Sequence, residues 1–79
     1  MTPTPNEIIE AARVQAGMTF DELWLAYVGL GGSVAPDVLR AYLGGSTAQL
    51  VGYDVLALAI NERFVDQGGD HPVPYSDDL

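Results

Sequence analysis

LGGSVAPDVLRAYLGGS, residues 30–46, decides the fold, because it writes Leu-Gly-Gly-Ser at both its ends. An Ala-Tyr pair stands shortly before each copy, Ala26-Tyr27 and Ala41-Tyr42. Glycine readily takes the left-handed conformation that closes an α-helix, and serine is among the residues that start one. The repeat is therefore punctuation between successive helices. Within it, Pro36 suits a first helical turn and Asp37 suits the positive end of the helix dipole. A helix is predicted over 36–43, with Val38, Leu39, Tyr42 and Leu43 on its inner face.

The same punctuation recurs outward from this stretch. Upstream, Thr19-Phe20-Asp21-Glu22 is a capping box. Phe20, Leu23, Trp24, Tyr27 and Val28 come after it at helical spacing, which predicts a helix over 20–30. Met18 precedes the cap, where it can staple onto Leu23. Leu25 and Leu30 add apolar surface off the main stripe. Nearer the start, Thr4-Pro5-Asn6-Glu7 opens a helix over 5–16, which Gly17 closes. Downstream, Ser46-Thr47-Ala48-Gln49 is a third box, opening the longest helix, over 47–65. Tyr53, Leu56, Ala57, Ile60 and Phe64 form one stripe on it, while Val51, Val55, Leu58 and Val65 form a second. Gly52 falls inside that helix at a cost of about 1 kcal/mol relative to alanine, which implies close packing or a kink. Asp54 and Asn61, seven residues apart, make a polar seam on it.

Gly68-Gly69 end the fourth helix. Residues 70–79 contain two prolines and no period, and read as an extended acidic tail whose contact residues are Val73 and Tyr75. The expected architecture is all-α: a compact four-helix domain over 1–69, three shorter helices plus one long C-terminal helix, with that tail. No run alternates as a strand would.

Composition narrows the function classes. A chain of 79 residues makes one domain and buries only about 60% of the surface its unfolded form exposes. Yet 48% of its residues are hydrophobic, which leaves apolar surface for a partner. Eleven acids face three arginines, Arg13, Arg40 and Arg63, with no lysine, for a net charge of −8. Phosphate backbones are bound by clustered cations, so nucleic acid is not expected as a partner. With no cysteine there is no thiolate chemistry and no disulfide. No leader-like apolar segment opens the chain, and the longest apolar run, Val55 to Ile60, is too short to cross a bilayer. The expected location is cytoplasmic, with no membrane partner.

Length, acidity and helix number resemble the peptidyl carrier family, whose four-helix domains bear a prosthetic arm on a serine that comes after Leu-Gly-Gly. That resemblance implies attachment at Ser33. The sequence departs from the family pattern, which places Asp or His between the second Gly and the Ser and then Leu or Ile. Here Ser33 follows Gly32 directly and Val34-Ala35-Pro36 follows Ser33. The long loop between the first two carrier helices is also missing, since only Gly17 and Met18 separate them. A helix-turn-helix outline over 20–43 would read DNA with Asp37 to Leu43, which carries one arginine against one aspartate. Catalysis needs convergent polar groups, and the single histidine, His71, lies in the Pro-flanked tail. Asp66, Asp70, His71, Asp77 and Asp78 miss the spacing of a calcium loop.

The expectation is a non-enzymatic helical interaction or regulatory module with no cofactor, metal or small-molecule substrate. It self-associates or docks on a larger protein through apolar faces of helices two and four. Its candidate interface residues are Trp24, Leu25, Tyr27, Tyr42, Tyr53, Leu58 and Val65. The alternative is a carrier-like domain with a prosthetic group on Ser33.

Overall fold

Helices form where the caps place them. In a computed structural model, which describes residues 3–45 and 52–78, α1 spans Pro5–Gln15, α2 Phe20–Gly29, α3 Pro36–Leu43 and α4 Tyr53–Asp66. A short 3-10 turn, Ser76–Asp78, comes last, and the described residues contain no strand. The cap of α2 is reciprocal. The Glu22 N–H donates to the Thr19 hydroxyl at 3.1 Å and the Thr19 N–H donates to the Glu22 carboxylate at 2.9 Å. At α1 the Glu7 carboxylate accepts from both the N–H and the hydroxyl of Thr4.

Helix ends are equally local. After α2, the Gly31 N–H donates to the Val28 carbonyl at 3.0 Å and the Gly32 N–H to the Tyr27 carbonyl at 2.9 Å, the paired bonds of a Schellman motif. Gly31 sits at φ 102°, in the left-handed region that a Cβ disfavours. The same bond pair closes α1 onto Val14 and Arg13, and α4 onto Val65 and Phe64.

Helix α4 packs on α1 and α2, and α3 packs on the same two helices. The core is built from Ile9, Leu23, Tyr27, Leu39, Leu56 and Ile60, with the small side chains Ala12, Ala16, Ala57 and Ala59 among them. The three arginines are spent inside this arrangement. Arg13 pairs with Glu10 and donates to the Met18 carbonyl at 2.7 Å. Arg40 lies 4.1 Å over the Phe20 ring, and Arg63 pairs with Glu22 at 3.2 Å across α4 and α2. Gln67 ties the end of α4 to the Ala16 carbonyl at 2.8 Å.

One expectation is corrected. The fourth helix does not run unbroken from 47. Gly52 is left-handed at φ 80° and stands outside the helix as its N-cap, so α4 begins at Tyr53. A residue at that φ cannot continue a right-handed helix. Its carbonyl instead accepts the first α4 bonds, from the N–H groups of Val55 and Leu56. The Ser46 capping box and Val51 lie outside the described residues. In the segment after α4 the two expected contact residues do meet the helices. Val73 is 3% exposed and belongs to the core, and Tyr75 packs half-buried against it.

Candidate functional site

A buried asparagine places the C-terminal segment. Asn61 lies in the middle of α4 and is fully buried. Its carboxamide meets Val73 twice. Nδ2 donates to the Val73 carbonyl at 3.0 Å, and the Val73 N–H donates to Oδ1 at 2.9 Å. One side chain thus satisfies both backbone groups of a buried residue that belongs to no helix. Nearer the start of α4, the Tyr53 hydroxyl donates to the Pro74 carbonyl at 2.7 Å. Asp54 accepts from the Ser76 N–H and from the Ser76 hydroxyl, each at 2.7 Å. The polar seam of Asp54 and Asn61 therefore holds residues 73–76 against α4. No buried side-chain polar atom among the described residues is left without a partner.

The flanking prolines fit this role. Pro72 and Pro74 carry no N–H, so Val73 supplies the one backbone donor among the three residues, and Asn61 takes it. Beside the segment, Ile8, Ala11 and Gln15 of α1 and Pro72, Val73 and Pro74 line a cleft of about 260 Å³.

Hydrogen bonds set the titration behaviour of Asp54 and Glu22. The Ser76 hydroxyl, and after it the Ser76 N–H, hold the Asp54 carboxyl below its ordinary range. The Thr19 N–H, and after it Arg63, do the same for Glu22. Groups whose folded values are depressed contribute stability above their unfolded values and lose it as pH falls through the folded ones. Both contributions are therefore present at neutral pH and fade below about pH 4. Urea unfolding measured between pH 6 and pH 3 is expected to show a smaller acid loss in the double variant Glu22→Gln/Asp54→Asn than in the wild type. Equal losses would show that neither carboxylate is held.

The candidate interface residues divide into two groups. Tyr27 and Tyr42 are buried in the core, at 2% and 9% exposure, and offer a partner no surface. Tyr27 is held there because its hydroxyl accepts the N–H groups of Ser33 and Val34 at 3.2 and 3.3 Å. Trp24 is half-buried, with its indole N–H on the Val34 carbonyl at 3.3 Å, and Tyr53 is committed to Pro74. Leu25 and Leu58 do face outward, at 64% and 36% exposure, as does Val65 at 43%. Val28 joins Leu25 as exposed apolar surface on α2, and its spacing, which matches the core stripe, hides this in the sequence. Val65 lies seven residues from Leu58 on α4, so the two share a face of that helix.

Ser33 lies in the loop before α3, exposed, and the N-cap of that helix is Ala35. His71 is exposed, with its backbone N–H on the Asp70 carboxylate. No three His, Asp or Glu among the described residues gather as metal ligands do, and no described helix is long and apolar enough to cross a membrane.

The chain matches no protein-family model, no curated protein and no solved structure.

Proposed function

We propose that this chain is a small acidic interaction module, without enzymatic activity, that associates through apolar faces on α2 and α4. The observation behind this is the exposure of Leu25 and Val28 on α2 and of Leu58 and Val65 on α4, although the core closes without them. Apolar side chains grouped on the outside of a helix gain free energy when a second surface excludes water from them. The surrounding charge suits a larger protein partner with a basic rim; between two copies of this chain it repels, so high salt favours their association. Asp21, Asp37, Glu62, Asp66, Asp70 and Asp77 are all exposed, while each arginine is engaged within the fold.

Light scattering behind size exclusion, at several concentrations and at low and high salt, tests the self-associating form of this function. The wild-type mass is expected to rise with concentration. Leu25→Asp and Leu58→Asp should stay monomeric; Leu25→Asp, at the more exposed site, should unfold within about 0.5 kcal/mol of the wild type, and Leu58→Asp, at 36% exposure, should cost about 1 to 2 kcal/mol and stay folded. A wild type that remains monomeric throughout, indistinguishable from both variants, would overturn self-association through these faces.

A further inference from the structure

Beyond those faces, we propose that the groove between α1 and α4 is a binding site for a short peptide segment. One copy fills it with its own residues 73–76, and the same segment of a second copy can replace them. The motive is the way the segment is held. Asn61 reads the N–H and C=O of Val73, Tyr53 reads the C=O of Pro74, and Asp54 reads the N–H and hydroxyl of Ser76. Four of these five bonds go to backbone, and Val73 enters the core as the buried anchor. That is recognition of a short peptide backbone by a row of side chains on a helix, with a β-branched anchor followed by proline.

The occupant is joined to the domain through an exposed linker. Residues 68–72, which connect α4 to the anchor, are all exposed, and two of them are Gly68 and Gly69. A cleft lies between α1 and residues 72–74, so the segment can leave without displacing a helix. A segment arriving from another copy makes the same five bonds with the same atoms. Intra- and intermolecular seating then differ only in the effective concentration of the tethered segment, which for short linkers is in the millimolar range. Exchange of an identical element between copies is a low-cost route to a dimer.

A cysteine-free chain allows a direct trap. Two full-length variants are made, Asp54→Cys on the groove side and Ser76→Cys on the segment side, both at exposed positions. They are mixed in equal amounts at about 1 mM, where encounters between copies rival the tethered segment, and oxidised in a glutathione buffer. Exchange predicts a mixed disulfide dimer at least about tenfold more abundant than either homodimer. Random collision gives a twofold statistical ratio, and that result would overturn the proposal. Adding Asn61→Ala to the Asp54→Cys chain should remove the excess; an excess that persists would also overturn it. Adding Leu25→Asp to both chains should leave the excess in place, which separates this site from association through α2. If Asn61→Ala fails to fold, Tyr53→Phe in the groove chain serves instead and should lower the excess by severalfold.

Discussion

Asn61→Ala is expected to destabilise the chain by about 3 kcal/mol, near the upper end for a single substitution. The side chain is fully buried and supplies partners for both backbone groups of Val73. Removing it leaves a buried N–H and a buried C=O unpaired, each costing about 1 to 3 kcal/mol if the segment stays in place. The alternative is that residues 73–76 detach, which re-solvates those groups but withdraws Val73 from the core. Burying a valine side chain contributes about 1.5 to 2 kcal/mol, and the hydrogen bonds of Tyr53 and Asp54 are lost with it, so detachment sets the ceiling on the loss. For a domain whose total stability is about 4 to 12 kcal/mol, this is a large fraction. The melting temperature should fall by about 15 °C, at about 4 to 8 °C per kcal/mol for a domain of this size. Asn61→Leu, which restores volume but no hydrogen bond, should recover little of it. Urea unfolding distinguishes the two responses. A detached segment lowers the slope of free energy against urea, because less surface remains to be exposed. A loss under 1 kcal/mol in both variants would mean that the asparagine does not hold the segment.

Gly32→Ala is expected to cost about 3 kcal/mol as well, for a steric reason. A Cβ on Gly32 would stand 2.3 Å from Cζ of Tyr27 and 2.4 Å from both Cε atoms, far inside van der Waals contact. The ring cannot simply turn aside. It is 2% exposed, and its hydroxyl accepts the N–H groups of Ser33 and Val34, so moving it breaks the loop that leads into α3. Overpacking of this kind costs about 1 to 3 kcal/mol and sometimes more. Gly29→Ala is the internal control. A Cβ there meets nothing within 4 Å, and the residue ends α2, so the change should stabilise by about 0.5 kcal/mol. Thermal unfolding of the two variants side by side checks both signs. Similar small effects would show that Gly32 does not lie against the tyrosine ring.

Helices α1 to α3 are legible in the sequence because local chemistry writes them: Thr-x-x-Glu boxes, prolines in the first turn and glycines after the last. Such signals act within four residues, so they survive any tertiary arrangement. The same local logic takes Gly52 for a helix-interior glycine, because apolar spacing continues on both sides of it. Periodicity is insensitive to the backbone conformation of a single residue, and only the fold shows Gly52 left-handed beside Val55 and Tyr27. Asp54 and Asn61 are visible as a polar seam amid apolar neighbours. What they hold is not, because their partners lie 22 and 12 residues away in a segment without any period. Tyr27 and Tyr42 illustrate a further limit. An aromatic with a hydroxyl suits an interface or a core equally well until the acceptors and donors around it are known. Of the candidate surface, Leu25 and Leu58 are readable because they fall off the core stripe.

The C-terminal segment is part of the fold, held on α4 by Asn61, and amide hydrogen exchange at Val73 is the sharpest test of that. The exchange is followed by NMR on the full-length chain at neutral pH. The Val73 N–H is buried and donates to the Asn61 carboxamide. Exchange slowed by at least about a hundredfold relative to the unstructured rate is predicted, which corresponds to opening free energies above roughly 2.7 kcal/mol. Exchange of Val73 at the unstructured rate, while core amides such as those of Leu56 and Ile60 stay protected, would contradict this arrangement.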